Sequence, residues 1–148
     1  MDIGGDKEAG FMDLAERDRS ALGLRGIRFL FEHQDIMRTQ LRALARAADG
    51  RELRIMLPMV TSIGEVEDSL ALIHRAVYEL NEEGVKVEVP EVGVMIEVPS
   101  AVYLVKEMMS LVEFVSVGSN ALTQYLLAVD RNNPRVADIY DSMHPAVL

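Results

Sequence analysis

A carboxylate that directly follows a run of apolar residues, Glu97 after "VGVMI", is the most informative acid in this sequence. Burying it is costly unless its charge is compensated. Two chemistries meet that need. Glu97 pairs with an arginine at the same sheet end, or it ligates a hard cation such as Mg²⁺, which takes one or two carboxylates and leaves its other positions to phosphate and water. Other candidate positions follow apolar runs in the same way: Pro58 after "RIML", Gly118-Ser119-Asn120 after "FVSV", and Asp130-Arg131 after "YLLAV". Arg25 and Arg28 flank Gly26-Ile27. A guanidinium fork matches a phosphate, so arginines that converge on one pocket would clamp an anion. Scattered over a surface, they would make ion pairs worth well under ~1 kcal/mol each.

Elements that would position these residues are legible in the patterning. "HQDIMRTQLRALARAADG" places Ile36, Met37, Leu41, Leu44 and Ala45 at helical spacing and stops at Gly50. "LRIMLPMV" has strand length. Ser62 and Glu65 form an S-x-x-E capping box that opens a helix through Leu70, Ile73, Val77 and Leu80 to Gly84. "EVGVMIEVP" predicts a buried strand, "SAVYLVKEMMSLV" a helix and "FVSVG" a third strand. Asp2 to Lys7 read as a strand end entering a loop. Apolar strands joined by helical crossovers imply a parallel sheet covered on both faces. An open doubly wound sheet and part of a (β/α)8 barrel both fit, and in either the functional residues follow the strands.

Composition narrows the chemistry. With 148 residues the chain has the length of one ordinary domain. A net charge of -9 argues against nucleic-acid binding. The absence of cysteine excludes disulfides, thiolate metal sites and a cysteine acid or nucleophile within these residues, and fits a cytosolic protein. No apolar run approaches the roughly 20 residues of a membrane span. His33, His74 and His144 lie near no other plausible ligand or nucleophile and read as structural or solvated. Met56, Met59, Met95, Met108 and Met109 read as core filler.

Five stretches occur in order at characteristic separations: "DIGGDK", "GLRGIR", "LRIMLPMV", "VGVMIEVPSAV" and "VGSNALTQYLLAVDRNNP". Together they resemble enzyme I, the phosphoenolpyruvate-protein phosphotransferase of the bacterial phosphotransferase system. "LTQYLLAVDRNNPRVA" followed by "YDSMHPAVL" is most similar to its nitrogen-related paralogue. Pyruvate phosphate dikinase and phosphoenolpyruvate synthase share a looser version.

The resemblance implies a partial (β/α)8 TIM barrel of the phosphoenolpyruvate-binding type over 1–148. The family's first and last barrel strands, its cysteine general acid and its phosphohistidine domain would lie outside this chain, so no catalytic residue is expected within it. By the same resemblance Arg25, Asn120 and Arg131 match substrate-binding positions and Glu97 a Mg²⁺ ligand. The implied reaction moves phosphate from phosphoenolpyruvate to a histidine and on to a phosphocarrier protein, with the full-length protein a homodimer. The family's turn reads G-[ST]-N-D-L-T-Q-Y, and its aspartate is the second metal ligand; here that position is Ala121. A methyl group cannot coordinate a cation, so the chain alone is expected to be inactive. A non-catalytic binding or dimerisation module is the alternative from a different class. Strands left without barrel neighbours would favour association in isolation.

Overall fold

The computed structural model describes Asp2 and residues 20–148. The expected strand end and loop at 2–7 therefore lie, Asp2 apart, outside the described residues. Three strands, β1 (Arg54–Leu57), β2 (Glu91–Ile96) and β3 (Phe114–Val117), form a parallel sheet in the order β1-β2-β3. Leu57 pairs with Val94, and Ile96 with Val117. All three strands thus release Pro58, Glu97 and Gly118 at the same edge of the layer.

Helices α1 (Gly26–Glu32), α2 (Gln34–Ala48) and α3 (Ile63–Glu82) cover the sheet. They share a core with it that includes Ile27, Phe29, Val66, Ile73, Val92 and Val94. The capping box is formed: Ser62 Oγ accepts from the Glu65 amide at 3.3 Å, and the Glu65 carboxylate accepts from the Ser62 amide at 3.0 Å. Between α2 and α3 the apolar contact is rimmed by charge. Glu79 accepts from Arg38 at 2.6 Å and Arg75 at 3.2 Å, while Arg42 reaches Glu83 at 2.6 Å. Hydrogen bonding from Arg38 holds the Glu79 carboxyl below its ordinary value.

Beyond the sheet come α4 (Pro99–Tyr103), α5 (Val105–Met108) and α6 (Ser119–Leu126), then a 3-10 turn at Ala137–Ile139. The single helix expected over "SAVYLVKEMMSLV" is thus two short segments. The Leu104 amide bonds to Ala101, three residues back, at 3.2 Å, and its φ of −105° and ψ of 4° interrupt the α ladder. Helices α1 and α6 had no counterpart in the periodicity, because at 7 and 8 residues they span barely two turns.

Two further expectations are corrected. Burial on both faces holds only for β2, whose inner residues Val92, Gly93 and Val94 are all buried. On the flanking strands Met56 is 39% and Val117 65% exposed, since each strand has one neighbour among the described residues. Of the methionines, Met59 and Met108 fill the core, Met95 is half-buried, and Met56 and Met109 face outward. The histidines stand as expected. The His33 ring rests on Phe29, with centroids 4.5 Å apart, while His74 and His144 are exposed. Among the described residues no helix is long and apolar enough to cross a membrane.

Candidate functional site

The loop after β1 turns through Met59, whose φ of 59° is left-handed and unusual for a residue with a side chain. That turn aims the Met59 amide at the Glu97 carboxylate, and Glu97 Oε1 accepts it at 2.7 Å. Glu97 is 5% exposed, so this bond helps offset the cost of a buried acid. The start of α1 is latched to the same loop, with the Ile27 amide donating to the Pro58 carbonyl at 3.3 Å. Gly26 makes the latch possible. Its φ is +56°, and a Cβ there would stand 2.8 Å from the Met59 Cβ. Arg25 is thereby held beside the end of β1, 7% exposed, with Nη2 paired to Asp2 Oδ2 at 3.3 Å.

β3 delivers Gly118 against Glu97. A Cβ on Gly118 would fall 2.6 Å from the Glu97 Cβ and 3.1 Å from Oε2. Gly118→Ala is therefore expected to displace the carboxylate and weaken any ligand that Glu97 holds by roughly tenfold or more, because ångström-scale misplacement is costly in such sites. Comparing Mg²⁺ titrations with and without Gly118→Ala in an Ala121→Asp background checks this; equal affinity would show that Glu97 has room to move.

Asn120 and Ala121 lie in the first turn of α6, where Tyr140 Oη donates toward the Asn120 carbonyl and Oδ1, both at 3.3 Å. Arg131 follows in an exposed loop, its amide donating to Gln124 Oε1 at 3.3 Å. Arg25, Glu97, Asn120, Ala121 and Arg131 all line one cavity of about 530 Å³ at the C-terminal edge of the sheet. Arg28 does not line it; its guanidinium donates to the Leu22 and Gly23 carbonyls at 3.2 and 3.4 Å.

Asp130, singled out with Arg131 in the sequence, lines the cavity, and three residues near it were missed. Asp2 and Gln124 line it as well. Tyr125, on α6, donates to the Ala21 carbonyl at 2.7 Å. Burial raises the Tyr125 pKa, opposed by the nearby Arg25 charge and reinforced by Glu97. Only the polar character of "TQY" after a strand-end turn could have hinted at the two α6 residues.

The described lining carries Arg25 and Arg131 against Asp2, Glu97 and Asp130. This donor set does not complete a magnesium site. Glu97 supplies one carboxylate, Ala121 supplies a methyl, and among the described residues no group of three or more His, Cys, Asp or Glu could hold a metal. What the geometry offers is a polar cavity lined by two guanidinium groups, three amide side chains and three acids, of which Glu97 is anchored by the Met59 amide.

Comparison with known proteins gives this arrangement a family. Residues 1–148 match the family described as PEP-utilising enzyme, PEP-binding domain. The whole chain is 48% identical to a "Phosphoenolpyruvate-dependent phosphotransferase system" protein of Escherichia coli, covering 20% of it. It is 44% identical to a "Multiphosphoryl transfer protein" of Rhodobacter capsulatus, covering 17% of that protein. With a "Phosphoenolpyruvate-protein phosphotransferase" of Haemophilus influenzae it shares 44% identity and covers 26%. The chain thus spans about a fifth of the length of the curated relatives it matches. Among solved structures, a citrate lyase from Burkholderia xenovorans superposes with a TM-score of 0.51 at 20% identity, over 74% of this chain and 37% of that one, a likeness of fold alone. The chain belongs to the PEP-utilising enzymes, as their PEP-binding domain.

Proposed function

We propose that this chain is the phosphoenolpyruvate-seating part of a phosphoenolpyruvate-protein phosphotransferase, and that its own seat is weakened for magnesium. One observation carries the reading. Arg25, Glu97, Asn120 and Arg131, drawn from separate stretches of sequence, line a single cavity at the C-terminal edge of a parallel sheet. Sequential parallel strands with functional residues at that edge support a segment of a (β/α)8 barrel.

In this reading Arg25 and Arg131 bind phosphate oxygens, and Asn120 donates to the phosphate or the carboxylate. Glu97 would be the one protein carboxylate offered to Mg²⁺. A cation held there would supply charge neutralisation at the phosphoryl group. The rest of the chemistry, proton delivery and the accepting histidine, belongs to the wider protein, as do the phosphocarrier partner, the homodimer and a cytoplasmic setting.

Arg131→Ala tests the seat. Arg131 is exposed, so stability should be unchanged, while phosphoenolpyruvate affinity falls about 5–10-fold with the loss of a charge-assisted hydrogen bond. An unaltered binding isotherm would remove Arg131 from the seat. Ala121 favours one second reading, a silent binding or dimerisation module, which predicts no phosphoenolpyruvate binding even with magnesium.

A further inference from the structure

We infer that Gln124 and Tyr125 are positioning residues, through which α6 sets the placement of both arginine-bearing segments of the cavity. The inference rests on reading the cavity as a phosphoenolpyruvate seat. Arg25 and Arg131 lie far apart in sequence, and neither belongs to a strand. Arg25 Nε is buried with no hydrogen-bond partner among the described residues, so the guanidinium is not fixed by a full set of side-chain bonds. Its location rests on the Asp2 pair and on the backbone just before α1. That backbone is held at one end by the Ile27–Pro58 latch and at the other by Tyr125 Oη, bonded to the Ala21 carbonyl across 104 residues of sequence. The same hydroxyl lies 3.8 Å from Met59 Sδ, beside the residue that anchors Glu97.

Arg131 has a comparable tie. Its loop is shaped locally by Asp130, whose carboxylate accepts the Asn132 amide at 2.9 Å, and Gln124 Oε1 joins that loop to α6 through the Arg131 amide. Adjacent residues on a helix point about 100° apart, so Gln124 and Tyr125 reach different neighbours. Asn120 rides on the same helix. Three parts of the seat therefore share one reference helix, and polar ties to it set the spacing of the two backbone segments that carry the cations before the ligand arrives. Such preorganisation improves binding without adding a contact.

A double-mutant cycle on the full chain tests this, with phosphoenolpyruvate affinity read from NMR shift titration. Tyr125→Phe removes one oxygen and keeps the ring, so it should weaken binding roughly 5–10-fold with little change in Tm. In an Arg25→Lys background the same substitution should cost nothing further, whereas with Arg131→Lys its effect should add. A purely structural tyrosine would lower Tm and cost the same in every background, and that result overturns the inference. A wild-type chain that takes no phosphoenolpyruvate overturns the seat reading, and the binding role of Tyr125 with it. A normal wild-type titration left unaltered by Tyr125→Phe overturns the positioning role alone.

Discussion

Ala121→Asp is expected to raise the magnesium-dependent affinity for phosphoenolpyruvate by at least about 10–100-fold, since losing even an outer-shell partner costs a metal site that much. The position faces the same cavity as Glu97, and it lies in the first turn of α6, where the helix dipole favours an acid. The new carboxylate would also join a described lining that already holds three acids against two arginines. Without a cation that addition repels an anionic ligand. The variant should therefore bind phosphoenolpyruvate more tightly than the parent chain with Mg²⁺ and no better without it. Isothermal titration in both conditions reads the difference. Equal affinities with Mg²⁺ would mean that residue 121 is not where the second ligand belongs.

A loss of stability of about 1–3 kcal/mol is expected from Gly93→Ala, the range for forcing a methyl group into a packed core. Gly93 is buried in β2 opposite Phe114, and a Cβ there would stand 2.3 Å from the ring Cε2 and 2.5 Å from Cδ2 and Cζ. The half-buried ring lies across the glycine, so the methyl group must push it aside next to the β2–β3 pairing that places Gly118 beside Glu97. At about 2–4 °C per kcal/mol for a domain of this size, the Tm should fall by several degrees. Phe114→Leu in the same background should recover part of the loss by vacating the space. A thermal melt superimposable on that of the parent chain would show that the ring is loosely held.

The site residues singled out in the sequence share one cavity, while parts of the scaffold around them were harder to read. Glu97 betrayed itself because an acid after an apolar strand needs a physical reason, and the ordered motifs then drew in Arg25, Asn120 and Arg131, all of which line the cavity. The capping box at Ser62 was readable because its logic is local. Helix α1 was not: it is short, and its N-cap residue Arg25 makes no side-chain capping bond, so neither period nor punctuation announced it. The exposure of Met56 and Met109 was equally hidden, since a methionine's hydrophobicity says nothing about whether a neighbour covers it. Tyr125 and Gln124 went unnoticed because their roles depend on contacts with distant segments, which no local pattern encodes.

The left-handed turn at Met59 has an outcome for how this pocket tolerates change. The group that steadies the acid is a main-chain amide, common to every residue but proline. The Met59 side chain packs in the core rather than lining the cavity, so exchanges there act on packing while the clasp on Glu97 persists, and a glycine would relax the unusual dihedral. The cost of variation at this corner falls on core packing, not on the bond that holds the acid.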